Sequence, residues 1–205
     1  MTSTTTRRQA TAARKEQIVG AAVALLAERG YHATTLDAIC QQAGLSSKRL
    51  ITYHFSSKDE LFAAIAKQVV ADAETFMRPT LDAAAGARDT LTAVIRTTVA
   101  FMATHPDEMR ALQQIIINGG HAWDRHHAES ITRLAGLFAE GQRTGAFRAG
   151  NPQLLASVLR AALDSMHPLL AAGLDPDRCA DELVDLFDRA TRSSPSDPYV
   201  AAASS

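Results

Sequence analysis

Two serines and a Lys-Arg pair are followed at once by Tyr53, His54 and Phe55, and the stretch from 46 to 58 closes on Ser-Ser-Lys. Hydroxyls and long cations at one end of a short segment are the groups that bond phosphate oxygens and base edges. Arginine or lysine can engage guanine O6 and N7, and serine or threonine can serve bases or phosphates. The candidate contacts to such a polyanion are Thr34, Ser46, Ser47, Lys48, Arg49, Thr52, Tyr53, His54 and Lys58. Leu45, Leu50, Ile51 and Phe55 alternate with them and read as core. Taken singly, His54 is an ordinary histidine and Ser46 a helix cap; the grouping carries the inference.

Charge agrees with it. The chain of 205 residues has a net charge of −1, but residues 1–58 hold eight basic groups against three acids, and the remainder is net acidic. A basic head on an acidic body points to a polyanion partner for the head.

Those side chains act together only if short helices hold them. A first helix is predicted from about Arg14, with Ile18, Ala22, Leu25 and Leu26 at helical spacing, ending at Gly30. Thr34 with Asp37 three residues on reads as a capping box for a short helix carrying Leu36, Ile39, Cys40 and Ala43, which Gly44 ends. The next helix starts at Ser46 or Ser47. Two short helices across a glycine turn form a helix-turn-helix unit, whose second helix fits the major groove. Lys58 lies at the opening of a helix predicted to reach Arg78, with Pro79 as its stop, and the amino end of that helix is itself attractive to phosphate.

Further helices are expected at about 87–104, 107–117, 124–144, 152–172 and 176–192, with no strand pattern and no repeat, so the fold class is all-α. Residues 1–13 read as a flexible basic arm, 14–58 as the helix-turn-helix domain, 59–192 as a larger helical domain, and 193–205 as a disordered tail. Cys40 and Cys179 have no metal-type spacing and read as buried free thiols. No signal peptide is visible, and no apolar run approaches the ~20 residues of a membrane helix, so a cytoplasmic location without a membrane partner is expected. His121, Asp124, His126 and His127 include types that ligate zinc or nickel. The adjacent 126 and 127 diverge on a helix, so a solvated loop is the simpler account and no metal or other cofactor is expected.

Residues 18–65, "IVGAAVALLAERGYHATTLDAICQQAGLSSKRLITYHFSSKDELFAAI", resemble the DNA-binding signature of the TetR family of transcriptional regulators. The resemblance rests on the G-Y-x-x-T-T segment, the A-G-L-S turn, the Y-H-F triplet and the S-K-x-E-L helix opening. One departure exists: the interval from Gly44 to Phe55 is one residue longer than the commonest family spacing. It leaves Ser47, Lys48 and Arg49 as alternative base readers. The resemblance implies a phosphate-binding role for Tyr53 and Lys58, and a double-stranded DNA partner.

Beyond residue 66 the likeness is one of pattern, with "GQRTGAFR" (141–148) typical of a helix connection in the family. The resemblance implies a small-molecule effector and a homodimer built on the last two long helices. Effector candidates are Phe101, Met102, His105, Met109, Gln113, Trp123, Phe138 and Met166, mixed apolar and polar groups on the central helices. Each alone is more simply a packing residue. The expectation is a repressor released from a palindromic operator by a small apolar molecule; the alternative is a regulator whose body serves only dimerisation or a protein partner. An enzyme finds little support, because the chain lacks a glycine-rich phosphate loop, a nucleophile elbow and a His-Glu-x-x-His helix.

Overall fold

A computed structural model describes residues 2–119 and 121–192, with the side chains of 2–7, 119 and 121–124 excepted. The expected tail at 193–205 lies outside the described residues. These hold ten helices and no strand: α1 (Thr2–Ala33), α2 (Leu36–Gln42), α3 (Arg49–His54), α4 (Lys58–Asp82), α5 (Ala87–Thr104), α6 (Pro106–Gly119), α7 (His121–Arg143), α8 (Pro152–Asp164), α9 (Met166–Ala171) and α10 (Pro176–Thr191). The chain divides into two compact units. One comprises Met1–Ala71 with His105–Trp123, the other Asp72–Thr104 with Asp124–Ser205.

In the first unit, Ile18, Ala22, Leu25 and Leu26 of α1 are buried, as are Ile39, Ile51, Phe55, Leu61, Phe62 and Ile65 of the helices that follow and of the turn between them. Burial of such side chains contributes on the order of 1.5–3 kcal/mol each, enough to hold helices too short to be stable alone. Helix α6 belongs to this unit and lies along α1, burying Ala111, Leu112 and Ile115. Residues 2–13 are helical, so α1 begins well before the expected start at Arg14. Gly30 breaks it at φ 77°, ψ 178°, a conformation closed to residues with a side chain.

In the second unit, α5 is the central element, packed by α8, α9 and α10. Its Leu91, Ile95, Val99, Phe101 and Met102 are buried, together with Phe138 of α7, Leu159 and Leu163 of α8, and Leu183 and Phe187 of α10. Four expectations need correction. Pro79 lies inside α4, which continues to Asp82 although the proline nitrogen cannot donate to the carbonyl four residues back. The single helix expected over 152–172 is two, α8 and α9, parted at Ser165 because Pro168 cannot donate to the carbonyl four residues back. His121 is helical, so the histidine run does not sit in a loop. Also, contrary to the reading of apolar runs, Pro152–Ala171 is long and apolar enough to cross a membrane by length and composition. In the structure this stretch is broken at Ser165, carries the Arg160–Asp164 ion pair and packs on α5.

The "GQRTGAFR" connection is held by three features. The Phe147 ring occupies the space of a Cβ at Gly141, 2.0 Å from where that atom would stand. Arg88 lies over the same ring at 5.5 Å and pairs with Asp188 at 2.6 Å. Arg148 donates from its backbone to the Thr191 carbonyl (2.8 Å) and from Nε to the Ala190 carbonyl (2.7 Å), satisfying the end of α10.

Candidate nucleic-acid interface

The helix-turn-helix is assembled by local chemistry. Thr35, extended at φ −95°, caps α2 by accepting from the Ala38 amide. The expected capping residue was Thr34; that side chain is instead fully buried and donates to the Gly30 carbonyl at 2.8 Å. The two threonines exchange roles because the break at Gly30 turns Thr34 inward, so its hydroxyl faces protein rather than solvent. At the far end of α2, Gly44 takes φ 61°, and the Leu45 amide returns to the Cys40 carbonyl at 2.9 Å. Gln17 of α1 pins this turn by donating to the Ala43 carbonyl at 2.7 Å.

Helix α3 starts at Arg49, later than the serines. Ser46 and Ser47 lie exposed in the turn that precedes it, and Ser47 Oγ accepts from the Arg49 amide at 3.1 Å. Ile51 and Phe55 are buried and anchor α3 inward; Leu50 is only partly covered. The opposite side presents Arg49, Thr52 and Tyr53, the last 77% exposed, with His54 edge-on to the Tyr53 ring. Lys48 is drawn back to α2, its ammonium 2.9 Å from the Asp37 carboxylate. Among the described residues, no ion pair engages Arg49.

Lys58 is held at the base of α4. It donates to the Tyr31 carbonyl at 3.0 Å and lies 4.3 Å from the Tyr31 ring centroid and 5.1 Å from that of Phe62. Burial pulls its pKa below the ordinary lysine range, with Asp59 opposing. The amino end of α4 also has partners of its own: Glu60 accepts from the Ser56 amide at 2.7 Å, and Ser57 Oγ accepts from the Glu60 amide at 3.1 Å. The hydrogen bonds from Ser56 keep the Glu60 carboxyl below its usual range. Lys15 of α1 stands over the Phe55 ring at 5.4 Å, adding a cation at the junction of α3 and α4.

Sequence reasoning missed Lys15, Gln17 and the Asp37–Lys48 pair. The effector candidates divide between units: Phe101, Met102, Phe138 and Met166 are buried in the second, whereas half-covered His105 and Met109 and exposed Gln113 belong to the first. The Trp123 side chain lies outside the described residues, as do those of His121 and Asp124. His127 Nδ1 is 3.8 Å from Asp164, and His126 faces Glu74, Glu129, Arg133 and Arg160.

An exposed cationic and hydroxyl-bearing face on the second helix of such a unit is that of a helix-turn-helix DNA-binding protein. Residues 18–65 match the family described as "Bacterial regulatory proteins, tetR family". Over 190 residues the chain is 30% identical to the HTH-type transcriptional repressor Rv1474c of Mycobacterium tuberculosis, spanning 89% of this chain and 95% of that one. The crystal structure of a TetR-like transcriptional regulator from Rhodococcus sp. RHA1 matches with a TM-score of 0.71 at 26% identity, covering 84% of this chain and 92% of that one. FadR of Bacillus subtilis, solved in complex with stearoyl-CoA, shares the fold at a TM-score of 0.73 and 20% identity, covering 83% and 96%. The chain belongs to the TetR family of transcriptional regulators.

Proposed function

We propose that the protein is a ligand-responsive repressor that binds a two-fold DNA site as a homodimer and leaves it when a small, largely apolar molecule binds. The observation that carries the DNA half is the outward face of α3. Arg49 is exposed and opens the helix, while Lys48 is paired with Asp37 and Ser47 Oγ accepts from the Arg49 amide, keeping its own proton to donate. Arg49 is the first choice of base reader among the three alternatives, being the one that no ion pair engages among the described residues; Ser46, Ser47, Thr52, Tyr53 and His54 flank it, and Lys58 meets phosphate after leaving Tyr31. We assign DNA binding to residues 14–58 and effector binding and dimerisation to 59–192.

Dimerisation is supported by apolar groups left open in the second unit. Leu154 (62% exposed) and Val158 (52%) lie one turn apart on α8, and Leu186 (58%) lies on α10. A two-fold site needs two reading heads about 34–36 Å apart. The effector half is supported by the aromatic and methionine side chains of Phe101, Met102, Phe138 and Met166, and by the acyl-CoA bound to the structurally similar FadR. By linkage, effector and DNA weaken each other equally. The test is selection of bound DNA from a random pool, followed by a screen of acyl chains, acyl-CoAs and other apolar molecules for release. A single enriched palindrome and release by one chemical class are expected. Enrichment without release by any class would leave the body to dimerisation or a protein partner.

A further inference from the structure

We infer that Gln114 of α6 is a positioning residue for DNA binding, acting through the peptide that joins Gly30 to Tyr31. That peptide group is where α1 turns into the helix-turn-helix, and it is held on both sides. The Thr34 hydroxyl donates to its carbonyl at 2.8 Å, and the Gln114 side-chain oxygen accepts from its N–H at 3.2 Å. The second bond depends on a missing side chain: the Gln114 oxygen lies 3.1 Å from where a Cβ on Gly30 would stand.

What this peptide orients is the rest of the corner. Tyr31 next offers its own carbonyl to the Lys58 ammonium, its ring to Lys58 and Phe62, and its hydroxyl to Asp59 at 3.4 Å. Threonine 34 leads directly into Thr35, the cap of α2. One plane thus governs the entry into α2 and the seat of Lys58. Glycine at position 30 imposes little preference of its own on that plane, so the partners of the peptide must supply it. Thr34 is local and travels with the corner. Gln114 comes from a helix 83 residues further on, packed along α1 in the same unit, and is the fixed reference. It lies outside the stretch matched by the family, 18–65.

The test uses the full-length protein and a DNA fragment selected by the wild type. Gln114→Leu removes the acceptor; Gln114→Glu keeps an oxygen in its place. Affinity is compared at ~0.3 M salt, where the added charge is largely screened at distances beyond several ångström. Gln114→Leu is expected to bind roughly tenfold more weakly at a temperature where circular dichroism shows it folded, a loss in the usual range for coupled sites. Gln114→Glu is expected to return to within about threefold of wild type. Binding by Gln114→Leu within about twofold of wild type overturns the proposal, as does a folded Gln114→Glu as weak as Gln114→Leu. If Gln114→Leu does not fold, amide exchange in the wild type decides: the Tyr31 N–H should exchange more slowly with DNA bound, and an unchanged rate overturns it.

Discussion

At the scale of single residues, the cations of the head do different work because of what already holds them. Arg49 opens α3 toward solvent, so Arg49→Ala should alter sequence preference at one position of each half-site, costing about 1–3 kcal/mol for the preferred base. Competition binding against single-base operator variants reads this directly. Lys58 is packed on Tyr31 and Phe62, and its transfer to phosphate would be sequence-blind. Lys58→Ala should weaken all DNA binding and make the slope of log K against log salt shallower by about 0.9 per subunit, about 1.8 for a dimer on its two-fold site; an unchanged slope would remove it from the phosphate contacts. His126 is held below the ordinary histidine pKa chiefly by burial, then by Arg133 and Arg160 against Glu74 and Glu129. The unfolded chain therefore takes up that proton first as the solution is acidified. Stability should fall as pH drops through the ordinary histidine range, and the penalty is complete below the folded-state pKa. His126→Gln should blunt that decline in Tm measured against pH.

At the scale of elements, what could be read in advance was whatever spacing and glycines determine. The buried faces of α1 and α2, the stops at Gly30 and Gly44 and the helix openings at Asn151 and Pro176 follow from local rules. Choices settled by tertiary geometry could not be read. Thr34 and Thr35 are chemically equivalent caps, and only the direction the chain takes after Gly30 decides between them. Likewise the Asp37–Lys48 pair joins residues 11 apart across a turn whose shape no periodicity reports. The connection before α8 shows the same dependence on packing. Gly141→Ala would force the Phe147 ring aside and with it the stack on Arg88, at a cost of about 1–3 kcal/mol. A thermal melt in which Gly141→Ala matches the wild type would show that this ring can move freely.

At the scale of the whole molecule, the proposed dimer would cover the apolar groups open on α8 and α10. Val158→Lys or Leu186→Lys should shift the protein toward monomer in sedimentation velocity while leaving its helical circular dichroism intact. Affinity for a two-fold operator should fall steeply with it, because the second head then binds as a separate molecule instead of at high effective concentration. A dimer that survives both substitutions would place the interface elsewhere.

The backbone at Gly30 has a consequence for heredity. Its conformation excludes every residue with a side chain, at about 1–3 kcal/mol of strain, so any missense change in that codon should impair the head. Such a chain keeps Leu154, Val158 and Leu186 unaltered. It would still pair with intact chains and poison the dimers it joins. Mutations at this codon should therefore be recovered as dominant loss of repression in a cell that also carries the wild-type copy, whereas mutations that abolish pairing should be recessive.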